Sequence, residues 1–415
     1  MRRLIHGAGW AAFLLGNGLM GCGDLPEDAV GKTSSPIVNG LEVSASEPGA
    51  ASMVAIYHRL ADDSGGPGPW FTRPCSGMIV AQQGNEAVVI TARHCVTVDG
   101  KVDSATAPLS WFKVAVGMTP GYANPNPPSG SKNLIYIETM PTTTQADFTR
   151  DAALLWVYAP TWASRADRKG VAVAPIGPDR SFTAYGYGMN YRDDQCYNAN
   201  PDYYLTTGVL RRGELVTLSS SWSGLGGSYR FNYTPTGYSV TCGDSGGPDL
   251  GYIAPDMQWL SFLGEHTQDS PFAFTGDSAV PGAWMSQTLG GFYLSPMSSP
   301  DSNLNRRSDN MMQLEASTSG TPLSYDPLAK TISQKTSTGV DCLDWSTSLN
   351  SFVLHSCSSP SKLWEITADG KIRNAASGMC MRHSATTIAN LRTCPTASAT
   401  VAERARFTWI WHPMK

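Results

Sequence analysis

The chain carries little charge, and what it carries is nearly balanced. Its 415 residues contain 30 Lys and Arg against 34 Asp and Glu, a net charge of −4 with neutral His. A surface that binds nucleic acid needs a clear excess of basic residues, so the composition argues against that function. Long stretches with the apolar period of helices are also missing. Short apolar runs among 41 Gly and 28 Pro are typical of a loop-rich, mainly β protein.

The apolar run near the N-terminus, 9–15, is too short to span a bilayer as a mature helix. It follows Arg2 and Arg3, so residues 1–21 are interpreted as an export signal peptide. The signal peptide ends in the motif LMGC at 19–22, which resembles the bacterial lipobox. The resemblance implies that Cys22 is acylated and anchors the protein to a membrane, because several acyl chains anchor stably. The alternative is an ordinary signal peptide with a chance cysteine.

Eight further cysteines follow Cys22. An even number in an exported chain indicates disulfides. Eight cysteines allow on the order of 100 pairings, so the count leaves the connectivity open. The eight are Cys75, Cys95, Cys196, Cys242, Cys342, Cys357, Cys380 and Cys394.

Three short segments carry the residue types of a nucleophilic catalytic site. Ser245 lies between glycines in the motif GDSGGP, where a tight turn would project its hydroxyl. Serine needs a base to take its proton and an acid to orient that base. His94 in TARHC and Asp151 in DAALL supply one candidate of each. Taken singly, the three motifs are also compatible with a plain turn, a structural histidine and a charge at a strand edge.

In this order, the segments resemble the signatures TAAHC, DIALL and GDSGGP of the chymotrypsin/trypsin-like serine peptidases. The resemblance implies a double six-stranded β-barrel in which Ser245 is the nucleophile, His94 the base and Asp151 the residue that orients it. It assigns the oxyanion hole to the N–H groups of Gly243 and Ser245. It implies a disulfide between Cys75 and Cys95, and neither a cofactor nor a metal.

The motif IVNG at Ile37 resembles the start of mature family members. The resemblance implies that cleavage after Pro36 frees an ammonium at Ile37, which pairs with Asp244. Residues 22–36 would then be a tether and propeptide, and 37–294 the protease domain. No cysteine of the disulfide set precedes Ile37, so this cleavage would also release the enzyme from its lipid anchor. The alternative for the motif is an ordinary surface strand.

Two features depart from the family pattern. Cys242 directly precedes Gly243, where one residue usually intervenes, and its usual partner further along the chain is absent. We therefore expect Cys242 to pair with Cys196, the alternative being a free, buried thiol. The base of the substrate pocket falls on Ser239, or on Val240 if one position is gapped.

Neither Ser239 nor Val240 is the aspartate that gives Arg/Lys specificity. A charged substrate side chain would lose its hydration without gaining a partner, so an apolar residue before the scissile bond is favoured. The other pocket candidates are Ser261, Phe262, Leu263 and Gly282. Surface loops are expected at 62–74 and 117–132, and a helix at about 284–293.

The C-terminal part of the chain repeats itself three times. Similar segments begin at Asn310, Asp341 and Met379, and the second and third contain a further cysteine and a late tryptophan, Trp364 and Trp409. The pattern resembles the ricin-type β-trefoil, which implies a trefoil at 307–413 after a linker at 295–306. The family's ligand aspartate corresponds to Asp344, with Trp345 as a stacking surface. The alternative for Asp344 is a structural turn carboxylate.

The sequence therefore predicts an exported, monomeric, all-β bacterial serine endopeptidase that acts on proteins or peptides. Its C-terminal module would bind glycans. The alternative is a surface protein with an inactive protease fold that displays the carbohydrate-binding module. The complete triad favours the enzyme, whereas the altered junction at Cys242 favours the alternative.

Overall fold

The computed structural model describes most of the chain from Ile37 onward. The described residues are 37, 40–47, 49–62, 64–70, 74–121, 126–142, 150–165, 170–171, 173, 181–188, 207–217, 229–232, 240, 242–251, 261–268, 274–275, 279–296, 302–316, 320–357, 363–367, 370–383, 389–395 and 407–410. All of them belong to one compact unit. The expected signal peptide, the lipidated Cys22 and the tether at 22–36 lie outside the described residues.

The structure is mostly β, which confirms the all-β prediction. After a short strand β1 (Leu41–Glu42), seven strands form one antiparallel sheet in the order β3, β2, β4, β5, β8, β7, with β6 paired to β2. These strands are β2 (Met53–Ala61), β3 (Pro67–Trp70), β4 (Cys75–Gln83), β5 (Glu86–Thr91), β6 (Phe112–Val116), β7 (Leu134–Thr139) and β8 (Ala153–Tyr158).

The strand β5 is buried on both faces, and this fixes the segment that follows it. Val88 and Ile90 on one face belong to a core that continues into the C-terminal strands. Ala87 and Val89 on the other face belong to a second core. Successive strand residues point to opposite faces, so an uninterrupted apolar run is required here. His94 therefore follows closely after a strand that is buried between two cores.

A second sheet has ten strands, including β1 and the last strand of the chain, β27 (Phe407–Ile410). Apart from β1, its strands are paired in the order β13, β10, β11, β12, β15, β14, β9, β27, β16. β1 pairs with β11, and β13 pairs with β14 as well as with β10. The new elements are β9 (Gly170–Val171), β10 (Ser181–Gly186), β11 (Arg211–Thr217), β12 (Tyr229–Asn232), β13 (Pro248–Gly251), β14 (Ser261–Gln268), β15 (Phe274–Thr275), the helix α1 (Ala279–Thr288) and β16 (Tyr293–Pro296).

The helix α1 begins earlier than the expected range of about 284–293. Pro281 lies in its first turn, where the missing N–H costs no helical hydrogen bond. The helix ends at Thr288 because Gly290 and Gly291 both take positive φ, at 82° and 114°. The N–H of Gly291 returns to the carbonyl of Ser286 at 2.7 Å and satisfies the helix end.

The C-terminal strands form three small antiparallel sheets of two, four and four strands, β17–β18, β19–β22 and β23–β26. They are β17 (Ser302–Arg306), β18 (Met312–Ala316), β19 (Ser324–Asp326), β20 (Thr331–Thr336), β21 (Gly339–Ser346), β22 (Ser351–Ser356), β23 (Trp364–Ile366), β24 (Ile372–Asn374), β25 (Met379–His383) and β26 (Ala389–Thr393). Disulfides join Cys342 to Cys357 and Cys380 to Cys394. Trp364 is fully buried and donates its indole N–H to the carbonyl of Leu343 at 2.9 Å.

The last strand, β27 (Phe407–Ile410), does not join these small sheets. It lies between β16 and β9 in the ten-stranded sheet, antiparallel to both. β9 in turn pairs with β14 at Ser261 and Phe262. The chain therefore returns from the C-terminal strands to the sheet that carries the strand after Ser245. The stretch expected as a linker, 295–306, includes the end of β16 and all of β17.

Among the described residues, no helix is both long and apolar enough to cross a membrane. The disulfides in both halves of the chain fit an exported protein, because such bonds persist in oxidising compartments.

Candidate active site

His94 lies in a short 3-10 turn, Arg93–Val96, directly after β5. The disulfide between Cys75 and Cys95 ties this turn to the first residue of β4. The hydroxyl of Thr97 donates to the carbonyl of His94 at 3.1 Å. Closing a loop of this length with a disulfide stabilises a fold by about 3 kcal/mol. The backbone of His94 is therefore held independently of the contacts that its side chain makes.

Asp151 holds His94 at two points. Its Oδ2 lies 2.7 Å from the ring Nδ1, and its Oδ1 accepts the backbone N–H of His94 at 2.8 Å. The carboxylate is fully buried, whereas 18% of the histidine side chain is exposed. With Nδ1 donating to the carboxylate, the neutral ring has its lone pair on Nε2. The pair presents a basic nitrogen in a defined orientation.

Ser245 lies in a turn that depends on two glycines. Gly243 and Gly246 take φ of 96° and 77°, the left-handed region that side chains disfavour. A Cβ on Gly246 would lie 2.1 Å from the hydroxyl oxygen of Thr91, and one on Gly243 would lie 2.8 Å from Cα of Gly188. The turn therefore packs its backbone directly against the histidine segment and the end of β10.

Two of the three predicted segments, those of His94 and Ser245, meet at the sulfur of Cys95. This Sγ lies 3.8 Å from Nε2 of His94 and 3.6 Å from the carbonyl oxygen of Ser245. Through the contact between His94 and Asp151, the structure brings the expected base, acid and nucleophile segments into one place. The sequence places them on three separate stretches.

Asp244 is fully buried in a cradle of glycines at the end of β10. Its Oδ1 accepts the N–H of Gly188 at 2.9 Å, and a Cβ on Gly186 would lie 2.0 Å from the same oxygen. Ile37 is also fully buried. In this uncut chain Ile37 is bonded to Pro36 and has no ammonium group, so the pairing of Ile37 with Asp244 after cleavage stays a prediction.

Two buried arginines flank the site and were not singled out by the sequence analysis. Arg93 donates to the carbonyls of Met140 and Ser104. Burial lowers the pKa of Arg93, while the charges of Asp151 and Asp103 act in the opposite direction. Burial also lowers the pKa of Arg211, opposed by Glu42 and Asp244. For Arg93, the available signal in the sequence was that arginine replaces the second alanine of the family motif TAAHC.

The pocket candidates are only partly described. Val240 is buried, Gly282 lies buried within α1, and Ser239 is outside the described residues. Ser261, Phe262 and Leu263 lie on β14, which pairs with β13, the strand that follows Ser245. In this pairing Ser261 and Phe262 lie opposite Gly251 and Leu250, whereas Glu265 lies opposite Pro248, nearer to Ser245. The preference for an apolar substrate residue stays a prediction.

Cys242 is part of a disulfide, so the free-thiol alternative is wrong. The expected partner, Cys196, lies outside the described residues.

Among the described residues, the side chains of Cys75, His94 and Cys95 lie close enough together to suggest a metal site. The two sulfurs are bonded to each other and offer no thiolate, so this group is unsuited to hold a metal.

The candidate glycan residues lie on β21. Oδ2 of Asp344 is 2.8 Å from Nε2 of His355 on β22, and its Oδ1 accepts the N–H of Trp345 at 2.7 Å. Only 10% of the Asp344 side chain is exposed, against 42% for His355. Trp345 is half-buried, with its ring centre 4.9 Å from that of Phe352. A sugar hydroxyl at Oδ2 would compete with His355.

The pair of His355 and Asp344 should make the stability of the C-terminal strands depend on pH. The hydrogen bond to Asp344 raises the pKa of His355, and the nearby charge of Asp341 adds to the effect. A raised pKa means that the stabilisation is complete below about pH 6.5, the unfolded value, and is lost as the pH rises through the folded pKa. Thermal unfolding of His355→Gln should therefore approach that of the wild type at alkaline pH.

Asp344→Asn provides the matched control, since it removes the charge and keeps the shape. It should show the same flattened pH profile as His355→Gln. A difference in unfolding temperature between wild type and His355→Gln that stays constant from about pH 5 to 9 would contradict the prediction.

No family model matches the chain, and no curated protein matches it at a significant level.

Proposed function

We propose that the chain is an exported serine endopeptidase that cleaves proteins or peptides through an acyl-enzyme at Ser245. The observation that carries the proposal is the two-point contact of the buried Asp151 carboxylate with His94, at 2.7 and 2.8 Å. An aspartate that merely stabilised a turn would not need to fix both the ring and the backbone of a histidine whose side chain is 18% exposed. This arrangement is what a general base requires.

In the proposed reaction the hydroxyl oxygen of Ser245 attacks the scissile carbonyl while Nε2 of His94 takes the hydroxyl proton. The resulting oxyanion would accept hydrogen bonds from the N–H groups of Gly243 and Ser245. The imidazolium then gives its proton to the leaving amine, and the acyl-enzyme forms. Water, deprotonated by the same histidine, attacks the acyl carbon, and the imidazolium returns this proton to the oxygen of Ser245 as the acid product leaves. Asp151 orients the ring throughout and stabilises the imidazolium.

The strand pairings support a trypsin-like double barrel as the framework. β13, β10, β11, β12, β15 and β14 are paired in sequence, and the pairing of β13 with β14 returns to the first strand. Such a closed order is what a six-stranded barrel requires. The first sheet would supply the other barrel, with His94 and Asp151 on it and Ser245 on the second. The three small C-terminal sheets would form the β-trefoil.

The regulation that we propose follows from the N-terminal motifs. Cys22 would anchor a zymogen to the bacterial cell envelope, and cleavage before Ile37 would both activate and release it. The buried, glycine-lined position of Asp244 supports a role for its carboxylate in shaping the turn at Ser245. An apolar pocket is supported by the buried Val240.

Labelling by a fluorophosphonate probe tests the nucleophile directly. We expect labelling of a chain that begins at Ile37, little labelling of the full-length chain, and none of the Ile37 form with Ser245→Ala. Ser348→Ala, at an exposed serine on a turn of the C-terminal strands, is the matched control and should label like the parent. Failure of every form to label would favour the inactive, glycan-displaying alternative.

A glycan-binding role for the C-terminal strands is the second candidate function. The half-buried Trp345 beside Asp344 is the feature that favours it. A glycan array probed with the Ser245→Ala chain separates this role from catalysis. Binding that is lost on Asp344→Asn would support it, and binding to no glycan would limit Asp344 to its contact with His355.

A further inference from the structure

Ser76 connects the first sheet to the turn at 243–246, which carries Ser245 and is called the nucleophile turn below. Each polar group of Ser76 forms a hydrogen bond. It is 1% exposed and is the second residue of β4. Its N–H donates to the carbonyl of Ser245 at 2.8 Å, and its hydroxyl donates to the carbonyl of Gly243 at 2.8 Å. The same hydroxyl accepts the N–H of Tyr187 at 2.9 Å, and its carbonyl accepts the hydroxyl of Thr91 at 2.7 Å.

These contacts bracket one peptide group. The N–H of Ser245, one of the two proposed oxyanion donors, belongs to the peptide between Asp244 and Ser245. Ser76 holds the carbonyl of the preceding peptide through its hydroxyl and the carbonyl of the following peptide through its N–H. The carbonyl of the peptide itself, that of Asp244, accepts the N–H of Gly247 at 2.8 Å. The contacts of Ser76 therefore act together with this bond to restrain the direction of the Ser245 N–H.

The hydroxyl contact matters most because of the residue that it holds. Gly243 has φ of 96°, and a glycine has access to positive and negative φ alike. No side chain at Gly243 opposes rotation of the peptide that follows it. The hydrogen bond from Ser76 to the Gly243 carbonyl is the described contact that resists this rotation. Burial strengthens it, because no water replaces the bond when it breaks.

We propose that Ser76 is a positioning residue whose hydroxyl holds the oxyanion-hole turn in its reactive conformation. The inference rests on the proposed function and adds to it a residue outside the three motifs. Ser76 touches neither substrate nor reacting atoms. It acts through the backbone of Gly243 and Ser245, so its loss should affect the transition state more than the binding of substrate.

The test compares Ser76→Ala with Ser286→Ala in the chain that begins at Ile37. Ser286 is also fully buried, and its hydroxyl donates to the carbonyl of Ala283 at 2.7 Å within α1, away from the turn. Both variants lose one buried hydroxyl. For Ser76→Ala we expect kcat for a peptide amide to fall about 10- to 100-fold with KM little changed, somewhat less than the loss of a donor itself. Ser286→Ala should keep the parent kcat at temperatures where it is folded.

A kcat for Ser76→Ala within twofold of the parent would overturn the inference, as would an equal loss in Ser286→Ala. Should Ser76→Ala fail to fold, Ser76→Cys keeps the volume with a weaker donor, and about a tenfold loss of kcat is expected from it. A parent chain that does not react with the fluorophosphonate would overturn the proposed function and this inference together. A reactive parent with an equally reactive Ser76→Ala would overturn the inference alone.

Discussion

Asp151→Asn should lower kcat about 10⁴-fold and leave KM nearly unchanged, as expected for a triad of this type. The carboxylate now accepts from both the ring Nδ1 and the backbone N–H of His94. An amide of the same shape has one oxygen and one NH2 group, so it can accept only one of these bonds well. If the oxygen stays on the backbone N–H, the NH2 faces Nδ1 and favours the tautomer that carries its proton on Nε2. That tautomer cannot take a proton from Ser245.

The measurement is steady-state hydrolysis of a peptide amide by the activated chain, with thermal unfolding recorded on the same samples. Asp309→Asn is the matched control, because its carboxylate is exposed and lies on the C-terminal strands, 3.4 Å from Arg307. It should leave kcat unchanged. A loss of less than tenfold in a folded Asp151→Asn variant would mean that the contact with His94 is structural and that another group orients the base.

The sequence predicted those features of the site that depend on residues close together in the chain. The turn at Ser245 needs glycines wherever φ is positive or backbone approaches backbone, and the motif supplies them at Gly243 and Gly246. The strand before His94 could be recognised because both of its faces are buried, which requires an uninterrupted apolar run. The all-β class follows from the same short runs.

The sequence did not reveal contacts between residues far apart in the chain. The hydroxyl of Ser76 and the carbonyl of Gly243 are 167 residues apart, and no spacing rule connects them. The guanidinium of Arg93 likewise reaches the carbonyl of Met140 across 47 residues. The hydrogen-bond partners of a buried polar side chain depend on which backbone groups the tertiary fold brings near it. The pattern of residues along the sequence does not show this.

The Gly and Pro content of the sequence also led to a wrong prediction of a loop. The Gly/Pro-rich stretch 62–74 was expected to be a surface loop, yet it contains the strand β3, Pro67–Trp70. This strand lies at the edge of the first sheet, where a proline is tolerated because one side makes no ladder bonds. Trp70 adds a contact that propensity does not anticipate, since the guanidinium of Arg59 lies 4.5 Å above its ring.

Ending the chain at Arg406 should prevent folding of the ten-stranded sheet. This truncation removes β27, which lies between β16 and β9 and is linked through β9 to β14. It leaves two strand edges unpaired and deletes the buried ring of Phe407, whose N–H also donates to the carbonyl of Gly370 at 2.9 Å. Losing a buried phenylalanine side chain alone costs about 3–5 kcal/mol, against a total stability of about 5–15 kcal/mol for a typical protein.

Soluble yield, limited proteolysis and fluorophosphonate labelling would measure the loss. A chain that ends at Ile410 keeps β27 and should behave as the full-length form does. Phe407→Ala should lower the unfolding temperature strongly, whereas Leu328→Ala, at a side chain that is 89% exposed, should not. A chain ending at Arg406 that is soluble and labels normally would show that the catalytic sheets fold without β27. If it fails as expected, β27 is part of the folding unit of the ten-stranded sheet, although it follows the C-terminal strands in the sequence.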